Sequence, residues 1–108
     1  MKLKEKTLAH YHRMIEWAKK QDPQDYVDPR LMHKSIGESF YGADCPLCNK
    51  HSYCVGCIVS NHTSQHGCRF TPWEDMSTSI NWEKWIDSAL KEIEFLKSLN
   101  WEEFYELH

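Results

Sequence analysis

Five cysteines and three histidines share one short stretch of this chain, and their spacing is that of a metal site. The cysteines read Cys45-x2-Cys48-x5-Cys54-x2-Cys57-x10-Cys68, with His51, His62 and His66 in the same window. A two-residue gap lets the backbone fold back so that two thiolates converge on one ion. Zn2+ takes four such donors in a tetrahedron. In Cys45-Pro46-Leu47-Cys48-Asn49-Lys50, the residue after the second thiol is Asn49, which tolerates the left-handed backbone of a metal knuckle.

Three ligand sets fit the spacing. One is all-thiolate, four drawn from Cys45, Cys48, Cys54, Cys57 and Cys68. A second is Cys45, Cys48, His62 and His66, close to zinc-finger spacing. The third is Cys54, Cys57, His62 and Cys68, one residue longer in its last gap than a CCHC knuckle. The finger set strands three cysteines, and the knuckle set strands the best-formed pair. The expectation is therefore zinc on four of the five cysteines, with His62 or His66 as substitutes. Buried thiols are the bland alternative, since free cysteine packs as a small hydrophobe. Two paired gaps within one window weigh against it. An iron–sulfur cluster also takes four cysteine ligands and stays open as the alternative cofactor. His10, His12, His33 and His108 read as ordinary surface or hydrogen-bonding residues.

The elements around this window must position it. At 108 residues the chain is one domain's worth, with a modest core that a metal would help to stabilise. From Leu3 to Lys20, Leu8, Tyr11, Met14, Ile15 and Ala18 recur at helical spacing, until Gln21-Asp22-Pro23 stops the pattern. Residues 21–44 form a connecting segment, with a helical turn expected after Pro29. Thr71-Pro72-Trp73-Glu74 reads as a capping box. A long helix is expected from about Asn81 toward the end, with Trp82, Trp85, Ile86, Ala89, Leu90, Ile93, Leu96, Phe104 and Leu107 on one stripe packed against the first helix. Phe95 and Trp101 fall at or beyond its edges and are candidates for a partner surface. The expected fold is mainly α, a single domain over 1–108. Two to three helices (1–20 and within 71–108) pack around a metal-binding loop at 45–70.

Charge separates the partners. The net charge of −3 hides a gradient, +4 over residues 1–20 and −6 over residues 71–108. The acidic final third repels phosphate, so a nucleic-acid partner is disfavoured there. A small basic patch with Tyr53, His62, His66, Arg69 and Phe70 keeps a knuckle-like nucleic-acid module as the alternative. No apolar run approaches the roughly 20 residues that span a bilayer, and no signal peptide is visible, so no membrane partner and a cytoplasmic location are expected. The odd cysteine count points away from a disulfide framework. No glycine-rich phosphate loop, nucleophile elbow or HExxH occurs, and an ion held by four cysteines has no open position. An enzyme is not expected.

The run Cys45-Pro46-Leu47-Cys48, Cys54-Val55-Gly56-Cys57-Ile58-Val59, Gly67-Cys68 and Thr71-Pro72-Trp73 resembles a family of small uncharacterised proteins common in bacteriophages and prophages. Their pattern is CxLC, CxxCP-aliphatic, GC and (S/T)P(W/Y), between aromatic-rich helices. This chain departs from it at Ile58, where the family has proline. The resemblance marks all five cysteines and none of the histidines. The family has no settled function to carry over. Together with the acidic C-terminal helix and the spare aromatics, the resemblance leads to the expectation of a zinc-stabilised interaction module, a phage-encoded factor in the host cytoplasm that binds a host or defence protein. An iron–sulfur or redox-sensing protein is the further alternative.

Overall fold

The computed structural model describes residues 3–40, 72–99 and 101. Within them lie four helices and no strand: α1 (Leu3–Ala18), α2 (Pro29–Ile36), α3 (Pro72–Thr78) and α4 (Trp82–Ser98). The mainly α class holds. The two short helices sit where proline opens them, at Pro29 and at Pro72.

Local chemistry sets the ends. Just past α1 the amides of Lys19, Lys20 and Gln21 fold back onto the carbonyls of Ile15, Trp17 and Ala18, and Gln21 Nε2 caps the Trp17 carbonyl at 3.2 Å. Asp28 caps α2, its side chain accepting from Arg30 N at 3.0 Å and Leu31 N at 3.4 Å. Gly37 closes α2 with φ 77°, donating its N–H to the His33 carbonyl at 2.8 Å. A Cβ there would meet no atom within 4 Å, so the left-handed backbone and not space is what calls for glycine. Asn81 caps α4 by accepting from Lys84 N at 2.9 Å.

The start of α4 has a second cap from far along the chain. Trp82 N donates to the Asp25 carbonyl at 3.3 Å, and Glu83 N donates to the Pro23 carbonyl at 3.1 Å. Two of the amides that a helix leaves unpaired at its start are thereby satisfied by the α1–α2 connection. That connection is thus fixed to the core at two points.

The core lies where α4 crosses α3 and α1, with α2 on the flank of α1. Met14, Met32, Met76, Trp82, Trp85 and Ala89 are fully enclosed, one or more from each helix. Trp17 meets Trp82 edge-on at 5.2 Å, Trp82 meets Trp85 at 5.5 Å, and Phe40 meets Trp85 at 5.6 Å. Such aromatic contacts add to the area they bury. Among the described residues no helix is long and apolar enough to cross a membrane.

The long helix departs from its expected stripe in two places. Leu90 is exposed (48%), whereas Glu92 is buried. At about 100° per residue, Glu92 falls about 20° from Trp85, next to the arc set by Trp85, Leu96 and Ala89, and Leu90 falls far beyond the arc's other edge. Trp101, expected to face a partner, is buried: after Leu99 the chain leaves α4, and Trp101 Nε1 donates to the Leu96 carbonyl at 2.7 Å. Phe95 is half-buried against the core. Phe104 and Leu107 lie outside the described residues.

Candidate metal centre

Cys45, Cys48, Cys54, Cys57, Cys68, His62 and His66 all lie outside the described residues. What the structure provides is the frame at either end of their segment. Phe40 is the last described residue before it and Pro72 the first after it. Trp73 Nε1 donates to the Phe40 carbonyl at 2.9 Å, so the two ends of residues 41–71 are tied to each other. Phe40 is itself held, buried with its ring against Trp85. Closing a flexible loop of this length costs roughly 3 kcal/mol in chain entropy. The helices supply that closure before any ion is considered.

Just upstream of Phe40 is a polar cluster that spacing alone does not reveal. Glu38 receives Arg13 in a two-point grip, Nε to Oε2 at 2.8 Å and Nη2 to Oε1 at 3.0 Å. His10 Nδ1 lies 2.5 Å from the same Oε1. His10 is 1% exposed, buried between its helix and the chain after α2, so the expectation of a hydrogen-bonding histidine holds here in its buried form. His12 and His33 are exposed. Burial works to raise the Glu38 carboxyl. Hydrogen bonds from Arg13 and His10, with the charge they bring, outweigh it and hold the group below its ordinary value.

A shallow groove of about 390 Å³ opens beside this cluster, with Trp17 and Ile36 as its apolar wall and His12, Arg13 and Lys20 on its rim. Its carboxylates are already matched, Glu16 by Lys19 at 3.3 Å and Glu38 by Arg13. Among the described residues no group of three histidine, cysteine or acidic side chains is placed to hold a metal ion. The candidate ligands expected from the sequence, Cys45, Cys48, Cys54, Cys57 and Cys68, lie outside the residues this concerns.

No family model, no curated protein and no solved structure matches the chain.

Proposed function

We propose that this chain is a small zinc-stabilised module that binds another protein, consistent with a phage-encoded factor acting on a host or defence protein in the host cytoplasm. Four of Cys45, Cys48, Cys54, Cys57 and Cys68 hold the ion, with His62 or His66 as substitutes. A closed thiolate site serves structure and not Lewis-acid chemistry. The observation that carries the reading is the bond between Trp73 and Phe40. Its two residues flank the segment whose sequence carries both CxxC pairs, and both belong to the helical frame.

Elemental analysis of the purified chain tests the metal. One zinc per chain, lost in Cys→Ser variants at the ligands and kept in the fifth, supports the site. A coloured, iron-containing preparation replaces zinc by an iron–sulfur cluster. Affinity capture with the wild-type chain as bait tests the interaction. Recovery of one partner in stoichiometric amount supports it, and an inert, monodisperse protein counts against it. A gel shift at low salt on single- and double-stranded probes tests the knuckle-like alternative.

A further inference from the structure

We infer that the corner where the α1–α2 connection meets the start of α4 is a docking surface for a basic protein segment carrying one large apolar side chain. This rests on the protein-binding reading and names the chemistry of the partner.

Two apolar side chains stand out from this corner. Tyr26 is 85% exposed and Ile80 is 60% exposed, more than any other large hydrophobic residue among those described. Single exposed hydrophobics are ordinary. These two differ in their mounting. Tyr26 follows Asp25, whose carbonyl accepts from Trp82 N, and Ile80 stands two residues before Trp82. Trp82 is 1% exposed and packs on Trp17. Both exposed side chains therefore sit next to a backbone bond anchored in the core. A partner that closes on them has little loop ordering to supply, and that ordering is a main cost of association.

The charge around them is unbalanced. On the open faces of the helices, carboxylates have cations at hand: Glu16 has Lys19, Asp87 has Lys91 and Glu94 has Lys97. At the corner, Asp22, Asp25 and Glu83 have none within 4.0 Å. Their hydrogen bonds run to neutral donors, with Gln24 N on Asp22 at 2.9 Å and Gln24 Nε2 on Glu83 at 3.1 Å, and these leave the charge in place. Asp28 adds a fourth carboxylate, matched by Arg30 at 4.0 Å, and Lys20 and Lys84 offset part of the rest, which leaves the corner net negative. Unmatched carboxylates around a fixed tyrosine and isoleucine fit lysine and arginine side chains flanking an apolar anchor. They repel a phosphate backbone.

The test uses the full zinc-loaded chain. The probe is a fluorescein-labelled peptide of six lysines and arginines around a central tryptophan, with the same peptide built on glutamates as its counterpart. Anisotropy at low salt should show saturable binding of the basic peptide. Tyr26→Ala and Ile80→Ser should each weaken it by about fivefold or more, while Leu90→Ser, exposed elsewhere on α4, leaves it unchanged. The double variant Asp25→Asn/Glu83→Gln should flatten its dependence on salt. Circular dichroism of each variant shows that the fold is kept. Binding that is indifferent to Tyr26 and Ile80 overturns the corner. So does binding of the acidic peptide alone, lost in Trp17→Ala, which keeps a protein-binding module but moves its surface to the groove on α1. If neither peptide binds, the corner is overturned, and the capture experiment with wild-type bait decides the broader reading separately.

Discussion

The indole nitrogen of Trp73 donates to the main-chain carbonyl of Phe40 across 2.9 Å, joining residues 33 positions apart in sequence. Trp73 lies in the first turn of α3 and Phe40 is the last described residue before the cysteine segment, so this bond joins the two sequence halves of the helical frame where that segment leaves and returns. Trp73→Phe keeps an aromatic side chain but removes the donor together with part of the indole. A buried carbonyl then loses its partner, which costs about 1 kcal/mol. Urea unfolding should show a lower midpoint with an unchanged slope, and zinc should leave the variant faster under chelator. An unchanged midpoint and an unchanged zinc off-rate would sink the idea that this bond closes the frame.

Glu38 links α1 to the chain after α2 through Arg13 and His10, and its stability contribution depends on pH with a definite sign. Its carboxyl lies below the ordinary 4.5 in the folded chain. The contribution is therefore complete above that value and is lost as pH falls through the lower folded value. Glu38→Gln should cost on the order of 1 kcal/mol at pH 7, because Arg13 is half exposed and water screens its part of the pair. At pH 3 the gap between variant and wild type should shrink, since that pH lies below the carboxyl's ordinary 4.5, so the unfolded chain has taken up the proton there and the contribution is on its way to being lost. Denaturant midpoints at the two pH values give the comparison. A gap that widens in acid would show the sign to be wrong.

Much of this frame is legible from periodicity. Tyr11, Met14, Ile15 and Ala18 repeat at helical spacing and are all buried, and Pro29, Pro72 and Asn81 mark helix starts by local chemistry alone. The misses share a cause, which is that the deciding contact is distant or lies past a break. Trp101 looks like an outward aromatic only if α4 continues through it. The extended backbone at Leu99 (ψ 147°) breaks the phase and turns the indole back onto Leu96. Glu38 and His10 are 28 residues apart and carry no motif. The exposed pair Tyr26 and Ile80 is invisible for the same reason, since only the fold brings residue 25 to residue 82. The candidate ligands are the reverse case: Cys45 through Cys68 are legible from spacing and lie outside the described residues.

Two buried tryptophans set up a contrast. Trp85 Nε1 is enclosed and has no hydrogen-bond partner, whereas Trp101 Nε1 has the Leu96 carbonyl. Replacing each by phenylalanine removes the same atoms. At Trp85 the change also removes an orphaned donor whose burial costs about 1–3 kcal/mol, offsetting the cavity it leaves. At Trp101 it deletes a made bond, adding about 1 kcal/mol to the cavity cost. Trp101→Phe should therefore be the more destabilising of the two, although Trp85 is nearer the centre of the core. Thermal unfolding of the pair checks the order, and the reverse order would mean that packing around Trp85 outweighs its unpaired nitrogen.

Removal of the proposed metal would separate two accounts of what such an ion stabilises. Where a small chain has no core of its own, the metal's binding energy is its folding energy, and chelation unfolds everything at once. Here Met14, Met32, Met76, Trp82 and Trp85 are buried and stand on helices that lie wholly outside the cysteine segment. Burying side chains of that size contributes about 1.5–3 kcal/mol each before entropy is counted. The segment's ends are tied by Trp73 and Phe40 without help from an ion. If the proposed zinc is held there, EDTA, or Cys48→Ser, should strip it and expose residues 45–70 to protease, while most of the far-UV helical signal remains. Native-state proteolysis with mass readout should place the new cuts between the two tied ends. Cooperative loss of the helices together with the metal would show instead that the ion holds the whole chain, as its short length alone would suggest.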